Sequence, residues 1–249
     1  MKISIITVCL NSEQTIEKTI LSVINQKNQD FEYIIIDGGS TDNTKKIIDK
    51  YKNNIDLFIS EKDSGIYDAL NKAIDLSTGE IISILHSNDI YSNNNVLEDV
   101  LFHFNKNKKI DIVLGSVLLK KMNSEKTSRF YSVKNFKPWM LRVGISPPHP
   151  GSFIKRSIYL DKGSYDTSYK IASDFDLFVR YLLKDKLKYE ITNQCYVKMN
   201  SGGLSNSGVS SHITSTKEIL KSLKKNEIYS NIFLVLLRFP IKFIQYIKK

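Results

Sequence analysis

The sequence predicts an α/β fold with a mostly parallel central sheet flanked by helices, and three observations carry that expectation. Short, wholly apolar, β-branched runs recur through the first half of the chain, and between them the apolar residues shift to helical spacing. Strands that are apolar on both faces belong to sheets covered on both sides, and strand–helix alternation is the pattern of parallel crossovers. At 249 residues, 41% of them hydrophobic, the chain has enough material for one large domain, or for one domain and a small extension.

The elements follow in order. Ile3 to Cys9 is the first β-branched run, and in the next segment Ile16, Ile20, Val23 and Ile24 fall on one helical stripe. A strand over 33–36, a helix over 43–51, a strand over 55–59 and a helix over 66–75 come next. A strand over 81–85, a helix over 96–104 and a strand over 110–114 complete the alternation. Ligands of such sheets bind at the carboxyl ends of the strands. That rule singles out Asn11, Ser12 and Glu13 after the first strand, and Asp37 to Asp42 after the second. Glu61 to Gly65 follow the third, and His86 to Asp89 follow the fourth. Taken singly, Ser12, Thr41 and Asp42 read as helix caps and Gly38 and Gly39 as turn residues. Together they place several acids at one edge, where apposed carboxylates repel unless a cation or a hydrogen-bonding ligand joins them.

Composition excludes several classes. Cys9 and Cys195 are far apart and no CxxC pair occurs, which points to reduced thiols in a cytosolic setting. The N-terminus reads as a strand rather than a signal peptide. The net charge of +10 is concentrated at the C-terminal end, and no motif or groove-sized basic surface indicates nucleic-acid binding. The last segment, "NIFLVLLRFPIKFIQYIKK", is interrupted by Arg238, Pro240 and Lys242, so it is too broken to span a bilayer. It reads either as a surface-lying, basic-edged membrane anchor or as a helix packed on the body. No GxGxxG follows the first strand and no GxxxxGK[ST] occurs, which removes the dinucleotide-binding and P-loop readings.

Four segments in this order, "SIITVCLNSEQTIEKTILSVINQ", "EYIIIDGGSTDNT", "EKDSGIYDALNKAI" and "GEIISILHSNDIY", resemble the nucleotide-sugar half of the family 2 glycosyltransferases. The resemblance resumes at "PHPGSFIKRSIY" and "IASDFDLFVRYLL". It implies a GT-A fold, Rossmann-like in its nucleotide-sugar half, over residues 1–215. Residues 1–115 would form that half, 116–215 the acceptor half and 216–249 a helical basic tail.

It further implies an inverting transferase that moves one sugar from a UDP-sugar donor to a lipid-linked saccharide. That enzyme would lie on the inner face of the bacterial cell membrane, in surface-polysaccharide synthesis, with the tail on the membrane surface. Asp89 matches the metal-binding acid for Mn²⁺ or Mg²⁺, while Asn88 stands where a first acid is common and brings no charge. Thr7, Asn11 and Glu13 would line the nucleotide cleft, with Asp37 and Asp63 on uracil and ribose. Leu70 occupies the position of a diphosphate-binding Arg in many relatives, which shifts that role to Lys72, while Asp68 and Lys72 read equally as an exposed i, i+4 helix pair. His149 would contact donor or acceptor. Asp174 matches the general base, whereas Asp176 and Arg180, at i and i+4, read as a solvated ion pair. Gly202 and Gly203 suggest a closing flap, and His212 a metal or phosphate contact. A binding module that kept the fold without turnover is the alternative. A nucleotidyltransferase trails, because the chain lacks the glycine-rich basic loop that grips a triphosphate.

Overall fold

The computed structural model describes residues 1–120, 127–200 and 209–241. The first half follows the expected alternation: β1 (Ile3–Cys9), α1 (Ile16–Ile24), β2 (Phe31–Asp37), α2 (Thr44–Asp49), β3 (Leu57–Ser60), α3 (Ile66–Leu76) and β4 (Ile81–Ile84). These four strands lie in the order β3-β2-β1-β4 and pair in parallel. Residues two apart point to the same face. Accordingly, Ile6, Val8, Ile34, Ile36, Ile82 and Ile84 are buried in one core layer, and Ile3, Ile5, Tyr33, Ile35 and Ile81 in the other.

The second half departs from simple alternation. After the short β5 (Asp89–Tyr91) and α4 (Val96–Lys106), β6 (Ile112–Lys120) does not lie beside β4. Instead β8 (Ser152–Lys155) sits between them, antiparallel to both. β7 (Thr127–Tyr131) pairs antiparallel with the far end of β6, and β9 (Tyr189–Asn200) runs parallel to β6 and carries β5 on its outer edge. Two close approaches fix this half: a Cβ on Gly115 would lie 2.0 Å from Tyr196 Cδ2, and one on Gly151 would lie 2.4 Å from the Gly115 carbonyl oxygen.

Helix α5 (Arg156–Lys162) follows β8, and α6 (Ser173–Phe178) continues into a wider π-helical stretch over Val179–Lys184. Helix α7 (Val209–Lys225) begins within the segment expected as acceptor half and runs into the expected tail. It buries Ile219, Ser222 and Leu223 against the body, so the start of that tail is part of the core. Helix α8 (Ile232–Leu236) packs beside the 3₁₀ segment Pro138–Val143.

Candidate active site

The carboxyl ends of β1, β2 and β4 are stitched into one rim. Asn11 takes the left-handed backbone conformation, φ 47°, which asparagine tolerates better than most residues. Its N–H donates to Ser40 Oγ at 2.8 Å, and its side-chain oxygen accepts from Thr41 N at 2.9 Å. Ser12 N donates to Thr44 Oγ1 at 2.7 Å, and the Ser12 and Ser87 hydroxyls meet at 2.9 Å, which joins the β1 and β4 tips. Glu13 Oε2 accepts from Asn43 N and Nδ2, each at 2.9 Å. Between these loops lies a cleft of ≈ 370 Å³, lined by Asn11, Ser12, Glu13, Gln14, Thr15, Asp42, Ser87 and Asn88. It therefore joins three predicted residues, Asn11, Glu13 and Asn88. A smaller depression of ≈ 220 Å³, lined by Ile24, Gln29, Phe31 and Asp56 among others, has no cluster of titratable groups.

The other predicted residues stand around and beneath this rim. Asp37 is buried, and its carboxylate accepts from Ser60 Oγ at 2.6 Å, from Ser40 N at 3.0 Å and from the Ser40 hydroxyl. Burial pushes this carboxyl up, but the Ser40 and Ser60 donors outweigh it and hold it below the usual carboxylate range. Asp63 comes from the β3 tip, and a Cβ on Gly38 would lie 2.6 Å from Asp63 Oδ2, so this carboxylate closes on the Gly38 backbone and would have to swing aside for a side chain there. Thr7 is fully buried, its hydroxyl donating to the Leu85 carbonyl at 2.8 Å, so it supports the floor of the cleft instead of lining it.

Lys72 is ion-paired with Glu61 and not with Asp68, which instead accepts from Ser64 N at 3.0 Å. Leu70 is a core residue. Asn71 binds the Tyr165 backbone in both directions, at 2.8 and 2.9 Å.

At the β4 tip the electrostatics change. Asp89 is buried and its Oδ2 has no hydrogen-bond partner, and burial raises its carboxyl to about 8. An unpartnered buried carboxylate oxygen fits a cation or a strong donor. Among the described residues no group of three His, Cys, Asp or Glu side chains could hold a metal, so a cation at the lone Asp89 carboxylate would need its other ligands from a bound substrate. Asn88 is turned toward β9, where Asn200 Nδ2 donates to its backbone and side-chain oxygens at 3.2 and 3.1 Å.

His86 Nδ1 is likewise buried without a partner, and burial lowers its pKa to about 4. The His86 ring lies 6.1 Å from that of His149. His149, expected at a substrate, is buried and hydrogen-bonded to the Tyr165 hydroxyl, because the Pro148–Gly151 turn drives its ring against Tyr165 and Phe178. Tyr165 stacks on Tyr67 at 5.7 Å, and the Tyr67 hydroxyl accepts from Ser173 N at 3.3 Å. An aromatic floor thus runs from the β4 tip to the start of α6.

Asp174 lies half-buried in the first turn of α6, its Oδ1 accepting from Phe175 N at 2.8 Å. Asp176 corrects the sequence reading. It is fully buried, and it accepts from Arg180 Nε at 2.9 Å, from Ser222 Oγ at 2.7 Å and from Asn226 Nδ2 at 3.1 Å. The cause is α7, which covers this face of α6. From the same helix, Glu218 accepts from the backbone N–H groups of Lys170, Ile171 and Ala172. Glu218, Ser222 and Asn226 recur every four residues, an inward polar stripe that was available in the sequence. His212 is exposed and packs edge-on against Phe239, 5.9 Å between ring centres. Gly202 and Gly203 lie outside the described residues.

The chain matches the family model described as glycosyl transferase family 2 over residues 4–155. It is 28% identical to a PGL/p-HBAD biosynthesis glycosyltransferase of Mycobacterium bovis, a match covering 88% of this chain and 83% of that one. It is 26% identical to an uncharacterized glycosyltransferase of Methanocaldococcus jannaschii, covering 88% and 72%. Among solved structures it resembles S. aureus TarS 1-349 in complex with UDP-GlcNAc, at TM-score 0.68 and 20% identity, covering 90% of this chain and 66% of that one. A mannosyltransferase from Pyrobaculum calidifontis in complex with GDP-Man and Mn²⁺ gives TM-score 0.64 and 16% identity, covering 90% and 63%. The fold is thus that of the GT-A glycosyltransferases, and the chain belongs to glycosyl transferase family 2.

Proposed function

We propose that this glycosyltransferase moves one sugar, with inversion, from a UDP-sugar to a hydroxyl of a lipid-linked saccharide. The observation that carries the donor assignment is the convergence of Asn11, Glu13 and Asn88 on one cleft, with the unpartnered carboxylate oxygen of Asp89 at the same strand tip. Asp37 and Asp63 would meet the uridine, and Lys72 the diphosphate once it leaves Glu61. Thr7 and His149 would act from beneath, by holding the floor. Asp89, with the donor's own phosphate oxygens, would hold Mn²⁺ or Mg²⁺, which supplies neutralisation of the charge that builds on the leaving diphosphate.

In the transfer itself, the Asp174 carboxylate takes the proton of the acceptor hydroxyl as that oxygen bonds to the anomeric carbon. The bond from that carbon to the diphosphate oxygen breaks with its electron pair, releasing UDP and inverting the anomeric centre. The floor formed by His86, His149, Tyr165 and Tyr67 would limit water beneath the path from Asp89 to Asp174.

The acceptor assignment is supported by the basic, apolar C-terminal segment. Residues 216–249 would hold the enzyme on the cytoplasmic face of a bacterial membrane, where surface polysaccharides are assembled on lipid carriers. Among the described residues no helix is long and apolar enough to cross a membrane, and a surface-held enzyme needs none. The test is nucleoside-diphosphate release from a panel of UDP-, GDP- and dTDP-sugars with a membrane extract as acceptor source. Release that requires both one UDP-sugar and the lipid fraction is expected, and release from GDP- or dTDP-sugars alone would overturn the donor assignment.

A further inference from the structure

Helix α8 is inverted in polarity relative to an ordinary surface helix. Its Val235 and the following Arg238 face the body, at 0% and 3% exposure, and Arg238 donates to Thr216 Oγ1 at 2.8 Å. The outward side is apolar: Phe233 is 78% exposed, Leu236 42% and Leu237 46%, with Tyr229 at 74% just before the helix. A segment, 232–238, that turns its one cation inward and its large apolar side chains outward is built for a non-aqueous neighbour.

This surface extends beyond α8. The Ser230 hydroxyl donates to the Arg142 carbonyl at 2.6 Å, and a Cβ on Gly144 would meet Arg238 Cδ at 3.1 Å and Val235 Cγ1 at 3.2 Å. α8 is thereby seated on the Pro138–Val143 turn, whose Trp139 is 58% exposed. Lys134, Lys137 and Arg142, all exposed, lie within five residues of that tryptophan in the chain. Amphipathic aromatic rings beside clustered cations match the boundary between acyl chains and anionic headgroups.

We propose that α8 and the Pro138–Val143 turn together form the face that docks on an anionic lipid surface, with Trp139, Tyr229 and Phe233 entering the acyl boundary. The inference rests on, and sharpens, the membrane side of the function proposed above. Docking sits on the acceptor half of the molecule.

The chain has a single tryptophan, and it lies in this surface, so its fluorescence reports the contact directly. The experiment adds vesicles of phosphatidylcholine alone, or of phosphatidylcholine with phosphatidylglycerol, to the full chain, and repeats the titration with acyl-brominated lipid. A blue shift with the anionic vesicles, quenching by bromine, and partitioning weakened roughly tenfold or more in Phe233→Asp and in Tyr229→Asp are expected. Both side chains are exposed, and unchanged thermal unfolding of either variant certifies its fold. No shift with anionic vesicles would overturn the proposal. A blue shift that grows with protein concentration without lipid would overturn it in favour of a second copy of the chain. UDP binding measured on the same samples keeps the outcomes separate, since loss of donor binding with lipid docking intact would indict the donor reading alone.

Discussion

The carboxylate of Glu218 and the backbone N–H of Ala172 stand 2.9 Å apart, and the same carboxylate takes Ile171 N at 2.9 Å and Lys170 N at 2.8 Å. One side chain of α7 therefore fixes the three residues that lead into Ser173 and Asp174. The geometry makes Glu218 a positioning residue for the proposed base. Glu218→Gln keeps the size but replaces one acceptor oxygen by an amide NH₂ group, a donor that faces N–H donors, at a cost of about 1.5–3 kcal/mol. The expected result is a fall in kcat of roughly tenfold or more with the donor KM little changed. Steady-state kinetics with thermal unfolding as control checks it. An equal loss for Ser222→Ala would assign the effect to the α6–α7 contact as a whole.

Asp174 is the group proposed to take the acceptor proton. Asp174→Asn removes the basic oxygen and keeps the shape, so transfer should fall by about 10²- to 10⁴-fold while UDP affinity is retained. Kinetics paired with calorimetry separates the two readouts. Retained turnover would move the base to another residue.

Most of the nucleotide half was legible in the sequence, because its information is local. Continuous apolar, β-branched runs and helical stripes define β1 to β4 and their helices, and Asn11, Glu13 and Asn88 reach one cleft because these parallel strands end at one edge. The second half was less legible, because its order depends on pairings between distant segments. Nothing local in Ser152–Lys155 says that it enters the sheet antiparallel between β4 and β6. Asp176 looked solvated for the same reason: its neighbours Ser222 and Asn226 lie 46 and 50 residues away. Thr7 and His149 were identified as site positions, but their depth is set by the floor beneath the rim and not by their own neighbours in sequence.

Asp37 gives the acid limb of stability. Its carboxyl is held below its ordinary range by Ser40 and Ser60 against the cost of burial. The ionised form therefore stabilises the fold fully above the unfolded value near ~4, and that contribution is lost as pH falls through the lower folded value. Asp37→Asn should reduce stability at neutral pH by about 1–3 kcal/mol and flatten the decline below about pH 4. Urea unfolding at a series of pH values measures both. An unaltered acid limb would remove Asp37 from this role.

Gly38 tests the approach of the β2 and β3 tips. Gly38→Ala places a methyl 2.6 Å from Asp63 Oδ2, so the carboxylate must move. UDP affinity should fall by roughly threefold to tenfold or more, in the range of one displaced hydrogen-bonding group, with little change in unfolding temperature. Gly115→Ala is the structural contrast, because its methyl would lie 2.0 Å from Tyr196 Cδ2 in the core and overpacking there costs about 1–3 kcal/mol.

The most direct measurement is calorimetric binding of UDP, with and without Mn²⁺, to the unmodified chain and to Asp89→Ala. UDP binding that strengthens with Mn²⁺, with the gain lost in Asp89→Ala, is the predicted result. Absence of UDP binding under both conditions would contradict the donor assignment, and a metal gain undiminished in Asp89→Ala would place the cation elsewhere.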